Sequence, residues 1–170
     1  MFLELSLNGS WKFKGFSECN GEELGAYKLE YNGNGWLPAQ VPGTVHSDLM
    51  ANNVIPDPFK GLNEKAVQWV PENEWWYRKE IDLTDDFLEK QVVELVFEGL
   101  DTFATVWVNG LKVGEAHNMF TPWRLNISKA VKAGRNVIAV RFKPIYKVAL
   151  ELEKKIRRQI WLFACGKLFS

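Results

Sequence analysis

The fold class predicted here is all-β: an antiparallel jelly-roll β-sandwich, with a long wrapping loop and one C-terminal α-helix. Three observations predict it. Short runs of alternating apolar and polar residues recur along the chain. Turn-forming pairs such as Asn109-Gly110 separate them. Only after Pro144 does the apolar period lengthen from two to three or four residues. A length of 170 residues suits one domain with a sizeable core. The sandwich is expected over residues 1–145, and a helix with an apolar tail, packed on it or extending from it, over 146–170.

In chain order, Trp11-Lys12-Phe13-Lys14 alternates large apolar with charged side chains, as a half-buried strand does. Asn32-Gly33-Asn34-Gly35 is a turn, because Asn and Gly accept positive φ at low cost. A short helix is expected over 46–53, capped by Thr44 or Ser47, with Leu49 and Met50 facing inward. Residues 53–73 contain Pro56, Pro58 and Pro71 and read as an irregular loop that wraps the sandwich. Strands follow at 75–83, 91–98, 102–108, 111–113, 122–127 and 136–142. Within 91–98, Val93, Leu95 and Phe97 share one face, and Ala133-Gly134-Arg135 turns into the last strand. Beyond Pro144, Val148, Ala149, Leu152, Ile156 and Ile160 recur at helical spacing, with Glu151/Lys155 and Glu153/Arg157 paired four apart. Gly166 is the expected stop.

Composition excludes several function classes. Lys+Arg and Asp+Glu balance at 21 each, so no net field attracts nucleic acid or an acidic membrane surface. No window approaches the roughly 18 apolar residues of a membrane span. Met1-Phe2-Leu3-Glu4-Leu5 has no basic leader, so no signal peptide is read and the cytoplasm is the expected compartment. Cys19 and Cys165 follow no ligand or disulfide spacing, and the two Asn-x-Ser matches at Asn8 and Asn126 carry no function there. His46 and His117 lack Cys or carboxylate neighbours at ligand spacing, so no metal and no cofactor is expected. The unusual feature is aromatic content, 14% with 8 Trp, which suits both a sandwich core and a sugar-stacking surface.

Several loop motifs stand in a fixed order. Leu7-Asn8-Gly9-Ser10-Trp11-Lys12-Phe13 opens the chain, and Val41-Pro42-Gly43-Thr44-Val45-His46-Ser47-Asp48-Leu49 follows Trp36. Then come Ile55-Pro56-Asp57-Pro58-Phe59, Gln68-Trp69-Val70 and Glu74-Trp75-Trp76-Tyr77-Arg78. Phe97-Glu98-Gly99-Leu100-Asp101-Thr102, His117-Asn118-Met119-Phe120 and Gly134-Arg135-Asn136 complete the set. Together these resemble the N-terminal, galactose-binding-domain-like β-sandwich of family 2 glycoside hydrolases, most closely the β-mannosidases.

The resemblance implies a non-catalytic domain that packs against a (β/α)8 barrel and helps shape its active site, in a chain that stops before the barrel. Ile156-Arg157-Arg158-Gln159 resembles the approach to a Phe-Gly-Trp-Asp-Trp-Gly loop whose Trp-Asp part holds the terminal sugar in that family. Here the stretch reads Phe163-Ala164-Cys165-Gly166-Lys167, so that contact is not carried over. A truncated or frameshifted gene is the expected origin of the break, with an independently evolved short protein as the alternative origin. The alternative is a free-standing carbohydrate-binding module built on the same scaffold.

Glycoside hydrolysis needs two carboxyl groups about 5 to 10 Å apart. No catalytic residue is assigned. Asn63-Glu64 superficially matches the family's acid/base dipeptide but lies in the wrapping loop, Asp85-Asp86 suits a helix N-terminus, and Asp57 suits a turn. Trp11, Trp75, Tyr77, Phe97, Trp107 and Phe142 are expected in the core. Trp36, Trp69 and Trp123, nearer turns, are the candidate carbohydrate-binding residues. His46 is expected to hydrogen-bond the adjoining loops. The apolar tail Ile160, Trp161, Leu162, Phe163, Leu168 and Phe169 is expected to pair with a second copy, giving a homo-oligomer, or with a separately encoded catalytic remainder.

Overall fold

Strands β1 (Gly9–Phe16), β2 (Leu37–Val41), β3 (Glu74–Leu83), β5 (Ala104–Val108), β6 (Leu111–Ala116) and β8 (Gly134–Phe142) form an antiparallel sheet in the order β2-β1-β3-β8-β5-β6. Strands β4 (Glu94–Phe97) and β7 (Trp123–Asn126) pair as a second sheet. The computed structural model describes residues 3–89 and 92–167, with 158–167 described as helical backbone. The side chains of Ile160, Trp161, Leu162, Phe163, Leu168 and Phe169, and the start of the strand expected at 91, lie outside the described residues.

Between the sheets sits one apolar core. Trp11, Phe13, Trp75 and Tyr77 project into it from β1 and β3, and Val106, Ile138 and Val140 from β5 and β8. Leu95 and Ile127 meet them from the other side, with Val93, Phe97 and Phe142 packed at the margin. Phe97 and Phe142 are therefore half-buried, whereas Trp11, Trp75, Tyr77 and Trp107 are buried. Asn109 and Gly110 adopt φ of 50° and 87°, the left-handed pair that a two-residue hairpin needs to join β5 to β6. Asn109 also donates to Asn136 Oδ1 at 2.7 Å, and Asn136 returns bonds to the carbonyls of Lys132 and Gly134. These two asparagines lock the hairpin to the turn before β8.

Helix α1 (Val45–Ala51) closes an edge of the sandwich. Thr44 caps it by accepting from the Ser47 backbone N–H at 3.1 Å, while the Ser47 hydroxyl receives the Thr44 N–H at 2.9 Å. This reciprocal cap satisfies two donors that a helix start would otherwise leave open. Leu49 fills the core, and buried Asp48 accepts from the Gln40 N–H at 2.9 Å and from the Tyr77 hydroxyl at 2.8 Å. Asp48 thus does the tying expected of His46, whose half-buried ring makes no hydrogen bond with a described residue. The wrapping loop carries two short helical turns, α2 (Asn63–Ala66) and a 3-10 turn at Val70–Glu72. Val67 and Val70 anchor it to the core. Helix α3 (Asp85–Leu88) starts at Thr84 with both aspartates in its first turn, as its sequence predicts.

The strands depart from simple alternation. Glu74, Trp75, Trp76, Tyr77 and Arg78 are all buried, as are all five residues of β5 and residues 136–140 of β8. A strand reads this way only when both faces of its sheet are covered. The second cover is the segment 17–36, which crosses the outer face. There Trp76 and Trp107 stack with centroids 5.0 Å apart, and Tyr27 stacks on Trp107 at 5.5 Å. Gly21 is required at this contact, because a Cβ there would lie 2.3 Å from Trp76 Nε1.

Helix α4 (Ile145–Lys167) leaves the end of β8 and runs one residue past Gly166. Its first turns lie beside the 3-10 turn, and Leu150, Leu152 and Ile156 are exposed. Of the predicted apolar stripe, Val148 is half-buried while Leu152 and Ile156 are not turned into the sandwich.

Trp107→Ala removes a buried ring that stacks with both Trp76 and Tyr27 and is expected to cost about 3–5 kcal/mol in chemical denaturation. Tyr77→Phe leaves Asp48 Oδ2 buried without its donor and is expected to cost about 1–3 kcal/mol in the same measurement.

Candidate functional site

Two grooves border the cover segment and the helix. The outer groove, about 420 Å3, lies where the segment 31–36 passes over β1 and β3. Trp36 and Tyr31 meet there edge to face, with centroids 6.2 Å apart. The Arg78 guanidinium stands 5.8 Å from the Trp36 ring and 5.9 Å from Tyr31. Buried Arg78 donates to the carbonyls of Ala26 and Lys28 at 3.0 and 2.9 Å and to Leu29 at 3.4 Å. Burial pushes its pKa down, yet a guanidinium stays charged across the ordinary pH range.

At the mouth of this groove Arg135 grips Glu80 with two parallel bonds, both 2.9 Å. The pairing follows from register: Glu80 opposes Val137 across the β3–β8 ladder, and Arg135 lies two residues away on the same face. The Arg135 hydrogen bonds hold the Glu80 carboxyl below its usual value. Lys12, Asn32 and Asn34 complete the rim, and the Asn34 carbonyl accepts from Lys14 Nζ at 2.5 Å.

The second groove, about 580 Å3, separates the 3-10 turn from α4. Trp69, Tyr146 and Leu150 give it apolar walls, with Glu72 and Lys147 between them. Trp69 is 37% exposed and leans on Trp75 with centroids 6.1 Å apart. Lys147 Nζ donates to Cys19 Sγ at 3.1 Å, which links the helix to the turn after β1.

The three candidate tryptophans are thus in three settings. Trp36 is half-buried in the outer groove, and Trp69 stands in the groove beside α4. Trp123, half-buried on β7, donates its indole N–H to the Asn118 carbonyl at 2.9 Å and packs edge-on against His117 at 5.2 Å. No two of them share a ring-to-ring contact among the described residues. Tyr31 and Glu80 stand in no local motif, and Arg135, though part of Gly134-Arg135-Asn136, meets Glu80 only once β3 and β8 are in register.

The two buried carboxylates, Asp48 and Glu74, are committed to the packing of the domain. Buried Glu74 accepts from Trp76 Nε1 at 2.6 Å and from the Gly21 N–H at 3.2 Å, and lies 3.8 Å from Arg141. Asp57 accepts from the Phe59 N–H at 3.0 Å, the turn role its sequence predicts. Glu64 is exposed on α2. Among the described residues no three His, Cys, Asp or Glu side chains gather as metal ligands.

Because Glu80 is held below its usual pKa, near 4.3 for a free glutamate, the ion pair stabilises the fold above that value. The contribution is lost as pH falls through the lowered pKa, and exposure keeps it small. Carboxyl NMR titration is expected to show Glu80 rising toward the ordinary value in Arg135→Ala.

Residues 11–168 match the family model for the glycosyl hydrolase 2 galactose-binding domain-like fold. The chain is 38% identical over 143 residues to a β-mannosidase from Capra hircus, covering 83% of this chain and 14% of that protein. Identity to a β-mannosidase B from Aspergillus terreus is 37% over 163 residues, covering 95% and 18%. Among solved structures, β-D-mannosidase from Dictyoglomus thermophilum superposes with a TM-score of 0.76 at 40% identity, over 88% of this chain and 17% of that one. A β-glucuronidase from Ruminococcus gnavus, at 22% identity and a TM-score of 0.61, shares the fold. The chain therefore spans 14–18% of the length of these β-mannosidases. It belongs to the glycosyl hydrolase 2 galactose-binding domain-like family, the N-terminal part of the family 2 β-mannosidases.

Proposed function

We propose that this chain works as the non-catalytic N-terminal domain of a β-mannosidase-type hydrolase, docking against the remainder of such an enzyme and helping to shape its active site. One observation carries the docking: large apolar side chains stand exposed along the wrapping loop and α4. Phe59 is 95% exposed and Leu62 72%, and Tyr146, Leu150, Leu152 and Ile156 are exposed on the helix. Covering such side chains favours an interface through the hydrophobic effect, and large apolar side chains left in water are available to a contact.

Chemistry supports the non-catalytic half. Asp48 and Glu74, the buried carboxylates, are each held by two donors in the packing of the domain. Neither is free to protonate a leaving group or attack a sugar carbon, the two tasks hydrolysis assigns to carboxyl groups.

The 170-residue chain is expected to release no aryl alcohol from aryl β-mannosides; turnover abolished by Glu64→Gln would overturn this. Docking is tested in a chimera, with residues 11–157 replacing the matching segment of a β-mannosidase. The chimera is expected to hydrolyse the substrate. Phe59→Asp with Leu62→Asp is expected to lower its activity and thermal midpoint while leaving the midpoint of the isolated chain unchanged. A chimera indifferent to both substitutions would place the interface elsewhere.

A further inference from the structure

We propose that the outer groove is an accessory binding site for a neutral pyranose sugar, walled by Trp36 and Tyr31 and read by the Glu80–Arg135 fork with Asn32 and Asn34. The site stands on the face of the six-stranded sheet covered by the segment 17–36 and shares no lining residue with the groove beside α4. Its standing is therefore separate from that of the docking surface.

The lining has the composition a sugar requires. A pyranose presents apolar C–H patches on its ring faces and vicinal hydroxyls around its edge, so its sites combine aromatic walls with planar groups that donate and accept side by side. The outer groove sets Trp36 and Tyr31 beside a carboxylate, a guanidinium and two carboxamides. A volume of about 420 Å3 lies within the roughly 300–1,000 Å3 of small-molecule sites.

The walls are also fixed in advance. Arg78 is clamped by three backbone carbonyls of the cover segment and holds both rings at under 6 Å from its guanidinium. Lys14 secures the carbonyl of Asn34 from below. A ligand entering here need not order the loop, and affinity follows from contacts that are already in place.

Polar capacity remains at the rim. Arg135 uses Nε and Nη2 on Glu80, which leaves further N–H groups on its outer edge. The carboxamides of Asn32 and Asn34 form no hydrogen bond with a described residue. One hydroxyl of a vicinal pair can donate to Glu80 while its neighbour accepts from Arg135, a two-point reading for which an isolated surface ion pair has no use. Lys12, Arg78 and Arg135 outnumber Glu80 three to one, so a protonated amino sugar is repelled.

The test is an NMR titration of the 170-residue chain with mannobiose, cellobiose and, as the repelled control, glucosamine. Saturable shifts are expected at the Trp36 indole N–H and the Asn32 and Asn34 carboxamides for at least one neutral disaccharide. Trp36→Ala and Arg135→Ala are each expected to weaken binding tenfold or more. Since Trp36→Ala removes a ring that packs on Arg78, Asn34→Ala at an exposed rim position serves as the second variant. It is expected to weaken binding while leaving the unfolding midpoint unchanged. The proposal is overturned by saturable shifts centred on Trp69 or Trp123, by glucosamine binding as tightly as the disaccharides, or by no saturable shift with either neutral sugar.

Discussion

Three central strands that are buried on both faces determine how the rest of this domain is arranged. Strands β3, β8 and β5 lie side by side, and each has a stretch of five consecutive buried residues. One sandwich partner can cover only one face of such a sheet. The small β4–β7 sheet, α1 and the wrapping loop cover the inner face. The outer face must be covered as well, or Trp76 and Trp107 would stand in water. The irregular segment 17–36 meets that need without a strand or helix of its own.

An irregular cover brings backbone amides and carbonyls onto an apolar sheet, where they need partners. Charged groups supply them. Arg78 collects the carbonyls of Ala26, Lys28 and Leu29, and Glu74 takes the Gly21 N–H together with the Trp76 indole. Arg141 lies over Trp76 and Trp107 at 5.8 and 5.2 Å, bonds Thr105, and pairs with Glu22 of the cover. Buried charge is costly unless it is paired and hydrogen-bonded, and here the pairing is what attaches the cover. The same logic operates inside, where Asp48 joins α1 to β2 and Tyr77. Burial and the Asp48 carboxylate push the Tyr77 phenol far up, so that it remains a donor well into alkaline conditions.

Much of this was legible in the sequence because it is local. The Asn109-Gly110 turn, the Thr44 cap, the loop motifs and the helical period after Pro144 each depend on residues within a few positions of one another. What was not legible depends on register. Alternation predicted a half-buried strand at 75–83, but the alternation holds only from Lys79 onward. Before it, Trp75 and Tyr77 enter the inner core, while Glu74, Trp76 and Arg78 face a cover that is 50 or so positions distant in sequence, as the Arg78–Ala26 and Gly21–Glu74 bonds record. His46 drew attention through its motif, whereas Asp48, two positions on, makes the bonds because the helix turns it toward β2.

The tryptophans show why composition alone leaves function open. A count of 8 fits a packing domain and a sugar-binding module equally. The structure separates the rings by what surrounds them. Trp11, Trp75 and Trp76 are buried with their indole N–H groups on a carbonyl or carboxylate, at 2.6 to 2.8 Å, which commits them to packing. Trp123 spends its N–H on Asn118 and its ring edge on His117. Trp36 and Trp69 keep part of their surface for a groove, and the two grooves differ in kind. The one at Trp69 is bounded by a helix whose apolar side chains extend beyond it, so the surface there continues past the size of a small ligand. The one at Trp36 is rimmed by planar polar groups, with Arg78 held beneath its rings by backbone carbonyls, so its apolar surface ends within the reach of a single sugar. A continuing apolar surface suits another protein segment; a groove with a polar rim suits a small polar ring. The two roles can coexist on one domain because they draw on different tryptophans.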